Sequence, residues 1–161
     1  MNARINNLFF VSVAMLLFLT GAGKLYSATG TAKLLSLADP ILRVNNRVLM
    51  VALGLVEVGI AVYLLALRDR AGDTKRAIAV LWLSGNFIGY HVAIDLTGVT
   101  VCPCLGTLTA KLSLTPDFVN QLLGAFVLYW FFGSALILWL ASQARSAPDP
   151  PRVSFADVGT N

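Results

Sequence analysis

Charge is scarce in this 161-residue chain: Asp, Glu, Lys and Arg together make up 12% of it. A soluble domain of this length carries about a quarter, so an ordinary water-facing surface is excluded. Cysteine is rarer still, with two residues, and histidine occurs once. No basic run interleaved with aromatics is present, which removes the electrostatic footprint of nucleic-acid binding. Neither G-x-x-x-x-G-K-[ST] nor a G-x-G-x-x-G after a strand occurs, so phosphate-cradling loops have no seat. There is no internal repeat.

What the chain has instead is hydrocarbon, with 57% hydrophobic residues and a mean hydropathy of +0.76. Lipid is therefore the expected solvent for most of the surface. A spanning helix needs about 20 mostly apolar residues. Four stretches supply them: Leu8 to Tyr26, Val48 to Leu67, Ala77 to Leu96 and Phe118 to Leu140. The expected fold is all-α, an integral membrane bundle of four transmembrane helices over residues 1–143. The polar, proline-rich residues 144–161 are expected to be a disordered cytoplasmic tail.

Two Pro-containing pairs look like helix starts. Asp39-Pro40 reads as N-cap and first helical position, so the second helix is allowed to begin as early as Pro40. Thr115-Pro116 carries the same signal for the fourth. The first apolar stretch also has the layout of a signal peptide, with Arg4 before the run and Thr20-Gly21-Ala22 as a cleavage site. Its apolar run continues past that site, which favours a retained span.

With four spans, the amino terminus, the second loop and the tail share one side. That side holds Arg4, Arg68, Arg70, Lys75, Arg76, Arg145 and Arg152, against Lys24, Lys33, Arg43, Arg47 and Lys111 on the other. The compact "RDRAGDTKR" loop is the kind that stays cytoplasmic. Both termini are thus expected inside the plasma (inner) membrane, with Cys102-Pro103-Cys104 outside it.

An extracytoplasmic compartment tolerates disulfides. Cys102 and Cys104 can join only across a bend, since a bridge needs Cα atoms within about 7 Å. Pro103 biases Cys102 toward an extended conformation, so such a bridge is strained. Strained, exposed bridges are the labile and catalytic kind, and a loop this short adds little entropic stability. Inert free thiols remain an alternative, as does a metal site using His91 and Asp95 as further ligands.

Charged residues at membrane depth mark function or pair with one another. Glu57 lies near the middle of the second helix, with small Gly54 and Ala61 on its face, and is expected to be protonated or paired in a close-packed interior. Lys24, near the outer end of the first helix, either snorkels or pairs. His91 and Asp95 stand four apart on the third helix, with Ser84 two turns earlier on that face and Asn86 pointing away. Asp95 sits near a helix C-terminus, which implies a cationic partner in His91 or Lys24. Cations beside a thiol would favour the thiolate.

The "GAGKLYS" end of the first helix, the "LGLVEVGIAVYLL" of the second and the "CPCLGTL" loop resemble the MauE branch of the DoxX-like membrane proteins, named for methylamine utilisation. The resemblance spans roughly Leu8 to Leu140 and is carried by Gly21, Lys24, Glu57, Cys102, Cys104, Leu105 and Gly106. It implies a four-helix, redox-associated membrane protein that helps an extracytoplasmic thioredoxin-like partner place disulfides. In methylamine utilisation that means maturation of the amine dehydrogenase small subunit. The architecture is also similar to that of quinone-linked disulfide-forming proteins, which leaves a quinone open as cofactor.

Two classes of function follow. One is a thiol–disulfide oxidoreductase in which Cys102 and Cys104 react while Glu57, Lys24, His91 or Asp95 handle protons. The other is a non-catalytic membrane scaffold, or a transporter of a small solute or metal, with Glu57 and Lys24 lining a polar cavity.

Overall fold

Apolar runs without internal proline become helices here, and helices account for nearly all of what is seen. The computed structural model describes residues 3–31, 33–66, 72–97 and 116–146. Four helices follow in chain order: α1 (Ala3–Ala28), α2 (Asn46–Ala66), α3 (Gly72–Thr97) and α4 (Pro116–Ser146). All four are long and apolar enough to cross a membrane. The 26 residues of α1 rise roughly 39 Å, more than the ≈ 30 Å hydrocarbon core of a bilayer. Among the described residues there is no strand, only an isolated bridge between Ala38 and Asn45. The protein is an all-α membrane four-helix bundle.

Its surface is inverted relative to a soluble domain. Leu8, Trp82, Leu96 and Phe132 are all exposed, whereas Lys24, Asp39, Glu57 and Arg76 are buried. Large apolar side chains spread over the outside and charges collected inside are what lipid, rather than water, selects.

The bundle is built as two hairpins, α1 packed along α2 and α3 along α4. Phe10, Val13, Ala14 and Leu17 of α1 meet Ala61 and Leu64 of α2, Ala77, Val80 and Leu83 of α3, and Val127, Trp130 and Ile137 of α4. Ser12 and Tyr129 share a hydroxyl–hydroxyl hydrogen bond of 3.0 Å between α1 and α4.

At one end, Arg76 ties the hairpins together. The cytoplasmic-loop reading of Arg76 is corrected here: it lies inside the first turns of α3 and is buried. Its guanidinium sits 4.1 Å from the Phe10 ring centroid, donates to the Leu64 carbonyl at 3.2 Å and bridges Asp73 at 3.3 Å. Asp73 also accepts from Asn6 of α1 at 2.6 Å. The apolar stem of Arg fills core volume while its two terminal nitrogens find the Asp73 carboxylate and the Leu64 carbonyl, so the charge is tolerated.

At the other end, the connection between α1 and α2 folds back on itself. Asp39 does not start α2. Its Oδ1 accepts from the backbone N–H of Ile41 (3.0 Å) and Leu42 (2.8 Å), which makes a turn rather than a helix. Arg43 then takes a left-handed φ of 54°, and the chain reverses. Asn45 becomes the cap of α2, accepting from Arg47 N–H at 2.9 Å. The second Pro signal reads correctly, since Pro116 is the first residue of α4. That helix continues to Ser146, three residues past the expected domain boundary, and residues 147–161 of the expected tail lie outside the described residues.

Tyr90 of α3 donates to the free Oδ2 of Asp39 at 2.5 Å and pins this turn to the second hairpin. Burial pushes the Asp39 carboxyl up, but the hydrogen bonds from Leu42, Tyr90 and Ile41 outweigh it and hold it below the usual carboxylate range. A depressed folded value means the stabilisation is complete above the unfolded pKa of about 3.9 and is lost as pH falls through the folded value. Protection of the amides over residues 37–45, relative to unstructured peptide at the same pH, is therefore expected to be full at neutral pH and to fall below about pH 4. Asp39→Asn should exchange fast at every pH; an unchanged profile in that variant would remove the carboxylate from this role.

Candidate functional site

The site starts from two glycines. A Cβ on Gly21 would lie 2.9 Å from the Gly54 carbonyl and 2.9 Å from Val58 Cγ2, so α1 and α2 cross in backbone contact. One turn beyond each glycine stands a charge, Lys24 on α1 and Glu57 on α2. Side chains lean toward the N-terminus of their own helix, and in an antiparallel pair that tilts these two toward each other. Lys24 Nζ meets Glu57 Oε1 at 2.5 Å. Residue exposures are 6% for Lys24 and 1% for Glu57, so the pair is shielded from the surroundings. The sequence expectation of a close-packed face around Glu57 holds: Gly54, Glu57 and Ala61 are all buried.

Two features keep this pair from being closed on itself. The second carboxylate oxygen, Glu57 Oε2, is buried without a hydrogen-bond partner among the described residues. Thr20 lies alongside, but its hydroxyl donates to the carbonyls of Leu16 (3.0 Å) and Leu17 (3.2 Å). The Lys24 ammonium also lies 5.6 Å from the Phe87 ring centroid on α3, within cation–π range.

Lys24 and Glu57 form one wall of a cleft of about 780 Å³ between the hairpins. Trp82, Asn86, Phe87, Tyr90 and His91 of α3 and Leu123, Val127 and Trp130 of α4 form the other, and Ile41 and Leu42 of the pinned turn also line it. The hairpins are thus tied at Arg76 and at Tyr90, share the core around Val80, Leu83 and Val127, and part on the side where the cleft lies. Val56 on α2 and Trp82, Asn86 and Gly89 on α3 line the cleft yet are exposed, so it opens sideways between α2 and α3. Those positions fall at mid-helix, the depth at which lipid surrounds a spanning bundle.

The remaining sequence-derived candidates are placed as follows. His91 is half-buried, lines the cleft and stands edge-on to Tyr90 with centroids 6.5 Å apart. Asp95 is exposed and has no ion-pair partner among the described residues, so the cationic partner expected for it, His91 or Lys24, is not found. Lys24 is committed to Glu57 instead, because a charge inside the bundle is worth far more to it than one at an open helix end. Asn86, expected to point away, lines the cleft and donates to the Trp82 carbonyl at 2.7 Å. Ser84 is buried and donates to the Leu81 carbonyl. Cys102 and Cys104 lie outside the described residues. Among the described residues no three His, Cys, Asp or Glu side chains converge as metal ligands.

Sequence reasoning missed the Asp39–Tyr90 contact and Trp130. The signal for the first was present, an Asp before Pro in a polar connection, but it was read as a cap. Trp130 carried none, being one aromatic among many in "VLYWFF".

The arrangement can bind the polar end of a small molecule and can pass a proton between Lys24 and Glu57 across one hydrogen bond. No family model, no curated protein and no solved structure matches this chain.

Proposed function

We propose that this membrane bundle is a thiol–disulfide exchange protein, working through an extracytoplasmic Cys102-Pro103-Cys104 pair on a thioredoxin-like partner. The observation that carries the reading is in the sequence: the whole cysteine inventory sits one residue apart around a proline, in the polar segment between two spans. The resemblance to the MauE branch of the DoxX-like proteins supports it, and would make the substrate a periplasmic protein that needs disulfides, the methylamine dehydrogenase small subunit in that pathway. Both termini then face the cytoplasm across the inner membrane, as the basic loop between α2 and α3 favours.

The chemistry balances between the two proteins. A thiolate of one attacks a sulfur of the other's disulfide, one S–S bond breaks as a mixed one forms, and the displaced thiolate takes a proton. The second thiolate then attacks the mixed bond, so one disulfide is made for each one lost. His91 is the titratable cleft residue nearest in sequence to Cys102 and is the first choice for moving those protons. Glu57 and Lys24 come next, and exposed Asp95 last.

Removing the resolving thiol stops the exchange halfway. Either Cys102→Ala or Cys104→Ala is expected to accumulate a reducible adduct with an extracytoplasmic protein bearing C-x-x-C, visible by non-reducing electrophoresis and mass spectrometry. The double variant should give none. If both single variants fold beside the partner and neither forms an adduct, thiol exchange is the wrong function. The second reading, a scaffold or small-solute transporter, would then stand on the cleft and its buried Lys24–Glu57 pair.

A further inference from the structure

Asp95 lacks the cation that a carboxylate near a helix C-terminus calls for, and a cation at the same end of the bundle is equally unmatched. The Arg43 side chain is exposed, as is that of Asp95, and neither has a hydrogen-bond or ion-pair partner among the described residues. Both stand at one end of the cleft. Ile41 and Leu42 line it immediately before Arg43, and His91 lines it one turn before Asp95 on the same face of α3. Tyr90 donates to Asp39 and holds this turn to α3, so the two loose charges belong to elements fixed against each other. Arg43 also keeps a left-handed φ of 54°, which a glycine would adopt at lower cost.

The cleft runs inward from those charges. Its lining on α3 extends from Ala93 to Leu81, roughly 18 Å of helix rise. The hydrocarbon of one leaflet is about 15 Å deep, half the core of a bilayer. The slot is therefore one leaflet long, starting at the pinned turn and ending near the middle of the bundle. Leu53, Val56, Leu123 and Val127 give it an apolar wall, and its side stands open to lipid between Val56 and Trp82. Exposed Leu42 and Val44 on either side of Arg43 put that turn at the level where hydrocarbon gives way to headgroups.

A leaflet-long apolar slot with a loose cation and a loose anion at its rim describes the seat of a zwitterionic lipid. An acyl chain fills the slot, and a phosphodiester meets the Arg43 guanidinium through paired N–H donors. A primary ammonium meets Asp95 and the negative end of α3. We propose that the cleft seats one phosphatidylethanolamine from the leaflet nearer the pinned turn, an acyl chain between the hairpins and the headgroup between Arg43 and Asp95. A choline headgroup has no N–H to give Asp95, and a glycerol headgroup brings it no positive charge. The site needs no thiol, so it stands apart from the exchange reaction proposed above.

The test uses the full chain with Trp82→Phe and Trp139→Phe, which leaves Trp130, buried on the cleft wall, as the one indole. Phosphatidylethanolamine, phosphatidylcholine and phosphatidylglycerol are each brominated at mid-chain to quench it. They are titrated separately into nanodiscs of unbrominated phosphatidylcholine. Saturable quenching by phosphatidylethanolamine is expected, with half-saturation at least about fivefold below that of the other two. That factor corresponds to ~1 kcal/mol, one ion pair in contact with solvent.

Asp95→Asn should erase the preference, and Asp95→Lys should transfer it to phosphatidylglycerol. Arg43→Gln should weaken all three lipids together. Gly85 lines the cleft and a Cβ there meets nothing within 4 Å, so Gly85→Leu fills the slot and should abolish saturation. Equal half-saturation for the three lipids would mean an unselective groove. A preference that survives Asp95→Asn, or binding untouched by Arg43→Gln, would put the headgroup elsewhere. Any of these results overturns the proposal.

Discussion

Lys24→Met alone is expected to destabilise the folded bundle by about 3–5 kcal/mol, and Lys24→Met/Glu57→Leu to recover most of that loss. The two charges meet at 2.5 Å, and both are buried. Together they are neutral and hydrogen-bonded; apart, the survivor is a charge in hydrocarbon. The size follows from the escape route, since holding a carboxyl of ordinary pKa, about 4.3, neutral at pH 7 costs about 3.7 kcal/mol. Glu57→Leu alone leaves the ammonium without its carboxylate, 5.6 Å from the Phe87 ring centroid, and should lose a similar amount. Replacing both removes the desolvation cost with the attraction, and Met and Leu keep the volume. Denaturant-induced unfolding in mixed micelles measures all four corners of the cycle. Two single losses that simply add in the double variant would show that the pair is not coupled.

Gly21→Leu carries the second large effect, because what it strikes is backbone. A Cβ at Gly21 meets the Gly54 carbonyl oxygen at 2.9 Å, and one at Gly54 meets the Gly21 carbonyl oxygen at 3.0 Å. A side chain could swing away; an opposing helix backbone cannot. Gly21→Ala is expected to cost about 1–3 kcal/mol by overpacking, and Gly21→Leu to separate α1 from α2 and draw Lys24 out of reach of Glu57. Gly59→Ala is the control. No atom lies within 4 Å of its added Cβ, and the helix should gain about 0.8–1.0 kcal/mol from losing a glycine. Thermal melts of the three variants decide it: equal midpoints for Gly21→Ala and Gly59→Ala would deny the close crossing.

These two results bear on what could be read from the sequence. The spans were legible because lipid demands long apolar runs, and Pro116 was legible because proline suits a first helical turn. The face of α2 was legible too, since Gly54, Glu57 and Ala61 repeat at helical spacing. The partner of Glu57 was not. Periodicity tells which side of a helix turns inward but not which other helix it meets, so Lys24 was as easily matched with Asp95. Asp39-Pro40 failed for a different reason: an Asp oxygen accepting from two following amides begins a helix and a closed turn alike. The reversal at Arg43, whose left-handed φ the sequence does not announce, decides between them. Arg76 was lost among the cations of a basic loop because only the Phe10 ring and the Leu64 carbonyl, far off in sequence, make its burial tolerable. Cys102 and Cys104 lie outside the described residues, and what the structure adds to the sequence reading is the contact between Lys24 and Glu57.

The position of the ion pair also sets an order of assembly. A lone charge at the centre of a spanning helix costs roughly 2.5–3.5 kcal/mol on insertion; Glu57 is at the centre of α2, and its partner Lys24 is on the neighbouring span. As the chain emerges, α2 follows α1 directly, so the two charges can neutralise each other before α3 has been made. The first hairpin can thus leave the translocation machinery as an electrically silent unit, with its glycine crossing already closed. The cleft is not yet present in that half-built protein. It comes into being only when the second hairpin arrives, and Arg76 and Tyr90, both carried on α3, fasten it at its two ends.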